Sequence, residues 1–253
     1  MKKAITDQLN RWLGLGRSLV IYRRPGRERA LRRLYSEFVG PGDLVFDIGA
    51  HLGDRSSAFA ALGARVVAVE PQPQLLRWLK RLTRHQPGIV CLPLAVGRAP
   101  GSAQLALSFR NPTVASLDSR WRERLRTTIA GFRHVRWEDS ITVPVTTLDE
   151  LIRQYGRPRF CKIDVEGFEV EVLAGLSQPV PALSFEFVNG ALDQALQCLE
   201  ELDRLGRHEF NVIAGELRHF IWPSWRNPEL LRQWLEGEAE GIASGDIYAR
   251  LVV

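Results

Sequence analysis

The chain has little of what staples a protein or anchors it in a membrane. Its three cysteines, Cys91, Cys161 and Cys198, are odd in number and far apart, and they form no C-x-x-C pair. That excludes a disulfide framework and a zinc knuckle and points to a reducing compartment. No stretch approaches the roughly 20 apolar residues of a membrane span. Lys2 and Lys3 look like the start of a signal peptide, but Asp7, Gln8, Asn10 and Arg11 interrupt the apolar region that should follow. A cytoplasmic protein without a transmembrane segment is expected. The chain also lacks a G-x-G-x-x-G run, an H-x-x-x-H pair, an N-P-P-Y segment, a Tyr-x-x-x-Lys pair and any internal repeat. These absences weigh against a dinucleotide oxidoreductase, a histidine-held metal and amino methylation of a nucleobase.

What is present is ordinary in bulk and uneven in detail. A length of 253 residues, 45% of them hydrophobic and 25% charged, suits one large soluble core. The net charge of +5 is concentrated at the N-terminus, where residues 1–40 hold ten Lys/Arg against three Asp/Glu. This basic, helical extension reads as a solvated helical face, with a nucleic acid, an anionic surface or an acidic partner as the other readings. The remaining 41–253 read as one domain.

Leu44–Ile48 is a short apolar run broken by Asp47, followed by Gly49-Ala50-His51-Leu52-Gly53 and a helix-compatible segment. Arg65–Val69 is a second apolar run and ends at Glu70, 23 residues after Asp47. This is a βαβ unit built to hold a nucleoside. Glycines let backbone approach a ligand, and an acid at about that spacing accepts ribose hydroxyls. His51 crowds the place where a pyrophosphate would lie, and Asp47 would repel a diphosphate while suiting an ammonium group. S-adenosylmethionine therefore fits better than NAD.

Further along, apolar periodicity predicts helices over 27–39, 74–84, 169–174, 192–205 and 228–238. A Thr147–Glu150 capping box opens another. Strands are expected at 89–92, 103–109, 142–145, 160–163, 182–187, 210–213 and 247–253. The alternation implies a doubly wound α/β fold, a mostly parallel seven-stranded sheet with helices on both faces and an antiparallel last strand. Residues 110–140 break the rhythm with seven arginines, Trp121, Phe132 and Trp137, and read as an insertion or lid.

Ligands of open α/β sheets lie beyond the carboxyl ends of the strands, where Asp47, Glu70, Asp164 and Glu186 are expected. Asp164 and Glu166 follow the strand expected at 160–163, so either is a candidate base towards an acceptor hydroxyl or an orienting group; Glu186 and His51 complete the catalytic candidates. Asp164 and Glu186 are also conceivable metal ligands, but no acid triplet in the sequence supports a metal.

Asp-Ile-Gly-Ala-His-Leu-Gly (47–53), Ala-Val-Glu-Pro (68–71), Leu-Ala-Val-Gly (94–97), Thr-Thr-Leu-Asp (146–149), Lys-Ile-Asp-Val-Glu-Gly-Phe-Glu (162–169) and Ser-Phe-Glu (184–186) resemble, in order and spacing, the FkbM family of S-adenosylmethionine-dependent methyltransferases. Gly245–Ala249 is similar too. The resemblance implies a class I, Rossmann-like methyltransferase fold and O-methylation of a sugar, polyketide or other small molecule. Carried over, Asp47, Gly49 and Gly53 cradle the methionine end, with Ala50, His51 and Pro71 inside the same motifs. Glu70 takes the ribose, Ala95 and Val96 flank the adenine, and Asp164 lies near the methyl. His51 stands where the family commonly has asparagine. The expected acceptor is a hydroxyl of a saccharide or glycosylated natural product. The rival readings are an RNA methyltransferase using the basic arm and a non-catalytic nucleoside-binding module. Calorimetric titration checks the cofactor: S-adenosylmethionine should bind, NAD should not, and Glu70→Ala should abolish binding.

Overall fold

The computed structural model describes residues 12–20, 26–128 and 133–252. The basic residues Lys2, Lys3, Arg11, Arg23 and Arg24, the insertion's Phe132 and the terminal Val253 lie outside them. Residues 12–20 are helical (α1). There follow α2 (Arg27–Tyr35), β1 (Leu44–Ile48), α3 (Asp54–Ala61), β2 (Arg65–Val69), α4 (Pro73–Leu82), β3 (Ile89–Leu92), β4 (Ala95–Val96) and β5 (Gly101–Leu107). Then come α5 (Ser119–Thr128), β6 (Asp139–Thr146), α6 (Leu148–Tyr155), β7 (Phe160–Ile163), α7 (Glu169–Ala174), β8 (Ala182–Val188), α8 (Leu192–Leu205), β9 (His208–Ala214), α9 (Pro228–Glu236) and β10 (Ser244–Leu251).

Seven strands form one sheet in the order β3-β2-β1-β7-β8-β10-β9. β1 pairs in parallel with β2 and β7, while β10 runs antiparallel between β8 and β9. β1 is buried throughout, as a central parallel strand covered on both faces must be. Its alternation assigns the faces. Leu44, Phe46 and Ile48 pack with Leu148, Leu151, Leu173 and Leu199 on the side of α6, α7 and α8. Val45 faces Leu31, Leu34, Tyr35 and Phe59 of α2 and α3. Asp47 and Lys162, paired in register, take that same second face. α2 is thus part of the core and no appendage: Phe38 stacks on Tyr248 at 5.6 Å and Tyr35 lies 4.3 Å from Phe59.

β4, β6 and β5 form a second, three-stranded sheet. β5 and β6, which overlap the strands expected at 103–109 and 142–145, pair antiparallel, while the two-residue β4 is too short to show a period in the sequence. Inside 110–140 lies α5, opened by Asp118, whose Oδ1 accepts the N–H groups of Arg120 (2.7 Å) and Trp121 (3.1 Å). Among the described residues no helix is long and apolar enough to cross a membrane.

The turn after β1 brings the sheet's first and fourth strands into backbone contact. Gly49 has φ +79°, and a Cβ there would lie 1.8 Å from the Asp164 carbonyl oxygen. Gly49→Ala is therefore expected to cost at least about 3 kcal/mol, from strain and displacement together. Urea denaturation, read by tryptophan fluorescence, measures it.

Candidate active site

An open crevice of about 1080 Å³ runs along the carboxyl edge of the sheet. From the β2 end it is lined by Glu70, Pro71, Ala95 and Val96, then by Gly49, His51, Asp164 and Glu166, and finally by Glu186, Glu216 and Asp246. Pro112, Thr113, Ala115 and Leu117 of the insertion also line it.

Glu70 closes the β2 end. Its Oε2 accepts the His51 backbone N–H at 2.9 Å and its Oε1 that of Gln72 at 2.8 Å, so the carboxylate is locked with its remaining lone pairs toward the crevice. Burial pushes its pKa up to about 7 despite those two donors. Ala95 and Val96, small and buried, leave room for a flat ring. His51 adopts a left-handed φ of +51°, and burial lowers its imidazole to about 4. At neutral pH it is uncharged, which suits a contact better than a base.

Asp164, Glu166 and Glu186 converge at the centre, with one oxygen of each within 4.8 Å of the others. Asp164 Oδ2 accepts from Lys162 Nζ at 2.5 Å. Burial pushes the Asp164 pKa up, but Lys162 and Arg55 outweigh it and hold the carboxyl below its ordinary value. Glu166 and Glu186 shift the other way: burial, then the neighbouring acids, drive both well above the carboxylate range. Lys162 and Arg55 thus favour the ionised form of Asp164, while burial and the neighbouring acids favour the protonated forms of Glu166 and Glu186. The sequence showed no acid triplet; the fold assembles one, whose spacing suits a hard cation or a substrate hydroxyl alike.

The loop carrying Glu166 is held under tension. Glu166 (φ +56°) and Gly167 (φ +90°) are both left-handed. Ser116 Oγ donates to the Glu166 carbonyl at 2.6 Å, and Gln194 Nε2 reaches both the Gly167 carbonyl (3.2 Å) and Asp118 (3.3 Å). The Trp121 indole lies where a Cβ on Gly167 would come within 2.1 Å of it. From inside, Glu169 accepts the Val165 N–H at 2.9 Å. The insertion is thus a strap over the acid loop as well as a wall of the crevice.

Residues 47–241 match the model of the methyltransferase FkbM domain. The chain belongs to the FkbM methyltransferase family. The hexuronic acid methyltransferase AglP of Haloferax volcanii is 28% identical over 163 residues, 64% of this chain; the matched part spans 61% of that relative's length. Two solved structures are similar in fold. One is a TehB-like S-adenosylmethionine-dependent methyltransferase of Corynebacterium glutamicum (TM-score 0.49, 12% identity, all of both chains). The other is an O-methyltransferase of Bacillus cereus in complex with S-adenosylhomocysteine (TM-score 0.49, 11% identity, 98% of this chain and 90% of that one).

The crevice of this FkbM family member has the chemistry to take S-adenosylmethionine. A buried carboxylate that two backbone donors leave protonatable near neutrality gains most from two ribose hydroxyls, and an acid-lined channel suits a sulfonium and an ammonium group. Of the residues expected to hold it, Gly49, His51, Glu70, Pro71, Ala95, Val96 and Asp164 line the crevice, while Asp47, Ala50 and Gly53 do not. Asp47, expected to point into the crevice, instead turns to the α3 face of the sheet and accepts from Ser56 Oγ at 2.5 Å, because its place in β1 dictates its side. Gly53 serves packing: a Cβ there would sit 2.4 Å from Leu79. Lys162, Arg55, Glu216 and Asp246 were not anticipated. A lysine inside the apolar run Phe160–Ile163 was the signal for the first, and acids at strand ends the signal for the last two.

Glu70 and Glu169, ordinarily titrating at 4.5, are both pushed by burial to about 7 in the folded chain. The folded state therefore binds more protons than the unfolded between these values, and stability falls as pH rises through that window. The free protein should melt at a higher temperature at pH 5.5 than at pH 7.5 in differential scanning calorimetry. S-adenosylmethionine should narrow the difference.

Proposed function

We propose that this FkbM methyltransferase transfers a methyl group to a hydroxyl of a small molecule, a saccharide or glycosylated natural product. The observation that carries this reading is the convergence of Asp164, Glu166 and Glu186 beside the cofactor half of the crevice. S-adenosylmethionine supplies, when bound, an electrophilic methyl on a cationic sulphur. Glu70 would hold the ribose hydroxyls, Ala95 and Val96 would flank the adenine, and Asp164, kept ionised by Lys162 and Arg55, would meet the cationic end.

The proton released as the new O–CH3 bond forms needs an acceptor. Glu166 and Glu186 are within reach of one another and of Asp164; beside the cofactor's sulfonium one of them would be ionised and would take the hydroxyl proton. The other then donates to the acceptor and fixes its orientation, which matters at least as much as basicity in an in-line transfer.

A sugar acceptor is supported by the relative that methylates a hexuronic acid. A nucleic acid acceptor is disfavoured by Asp164 and Glu216, acids lining the crevice that neighbouring cations hold ionised and that repel phosphodiesters. Three free thiols favour a cytoplasmic setting.

Methyl transfer from labelled S-adenosylmethionine to a panel of sugars, uronates and RNA tests the reading. Sugars should be labelled and RNA should not. Glu166→Gln and Glu186→Gln should each lower kcat by roughly a hundredfold while leaving S-adenosylhomocysteine binding within a few-fold. Full kcat in both variants would sink the assignment.

A further inference from the structure

The ionised acids along the crevice make it hostile to a ligand's carboxylate, yet S-adenosylmethionine carries one, and so does any uronate. Among acids a carboxylate is held best where an open cation faces it. Lys162, 2% exposed, is already closed off by Asp164. The guanidinium that lines the crevice is Arg55, the second residue of α3.

Arg55 is only 12% exposed and carries five N–H donors, but among the described residues it makes no hydrogen bond. Its Nη1 lies 3.6 Å from Asp54 Oδ1 and its Nη2 4.0 Å from Asp246 Oδ2, distances of charge attraction and not of bonding. Its Nε is buried with no partner. Asp54 is meanwhile taken by Arg27, whose Nε donates to it at 2.7 Å. The neighbouring anions therefore keep the guanidinium charged and in place without saturating its fork. A buried donor set left open in this way is costly unless a ligand or water completes it.

We propose that Arg55 is the carboxylate anchor of this crevice, receiving the carboxylate of a bound small molecule through the open face of its guanidinium. The chemistry has two sources, the amino-acid end of the cofactor and the acid group of a uronate acceptor. The first source rests on the S-adenosylmethionine reading above. The second does not.

Calorimetry on the wild type, Arg55→Gln and Arg55→Lys tests it with two ligand pairs. The first pair is S-adenosylhomocysteine and its analogue bearing hydrogen in place of the carboxylate. The second is D-glucuronate and D-glucose, titrated onto the protein with and without S-adenosylhomocysteine. In at least one pair the wild type should prefer the acid by about tenfold to a hundredfold, as a charge-assisted pair gives. Arg55→Gln should erase that preference by weakening the acid alone. Loss in the first pair assigns the anchor to the cofactor, and loss in the second to the acceptor.

A purely structural Arg55, pairing only with Asp54 and Asp246, would lower the melting temperature and leave both preferences unchanged, which overturns the proposal. So would a wild type that prefers neither acid. Should Arg55→Gln fail to fold, Arg55→Lys keeps a cation between the two aspartates but loses the fork, and an undiminished preference there is equally fatal. A wild type that binds no S-adenosylhomocysteine strikes at the cofactor reading instead, and the glucuronate pair then decides Arg55 alone.

Discussion

A single buried ammonium sets the electrostatics of this protein. Lys162 lies beneath the carboxyl edge of the sheet, against Asp164, and an unpaired charge at that depth would be expensive. The pairing keeps Asp164 ionised, and the resulting negative charge, together with burial, drives Glu166 and Glu186 toward their protonated forms. The crevice thus sets a carboxyl that favours ionisation beside two that favour protonation. Such an arrangement can meet a cation through the first and donate a hydrogen bond from the others.

The second sheet and the insertion make that arrangement mechanical. Ser116, Trp121 and Asp118 all reach the 164–168 loop, directly or through Gln194, and hold two consecutive left-handed residues in place. Strain of this kind persists only where neighbours over-determine it. The insertion's Pro112, Thr113, Ala115 and Leu117 face the crevice as well, so the segment that secures the acid loop also shapes the space for the acceptor. A change of substrate and a change of loop stability are therefore coupled through the same dozen residues of chain.

At the other end the β2 side is simple and rigid. Glu70 is pinned by two backbone N–H groups, and Gly49 packs its backbone on the Asp164 carbonyl. Cofactor half and acid centre are joined by a contact that leaves no space for a side chain, which fixes their separation. The family match covers both halves.

Much of the fold was legible in the residues themselves. Apolar periodicity located nearly every helix and strand, with Ile89–Leu92, Phe160–Ile163 and Leu192–Leu205 exact, because each is a local pattern with a local cause. Glu70, Asp164 and Glu186 were readable as acids at strand ends. The direction in which Asp47 points was not, since it depends on which face of β1 the α3 helix covers. Nor could the sequence bring Asp164, Glu166 and Glu186 within one small space, or place Arg55 opposite Asp246, 191 positions away. The sequence by itself determined the doubly wound frame, the nucleoside-binding turn and the family. Only the tertiary structure decided which carboxyls are charged and which cation remains open, because desolvation and Coulomb interactions depend on distances through space that spacing along the chain does not contain.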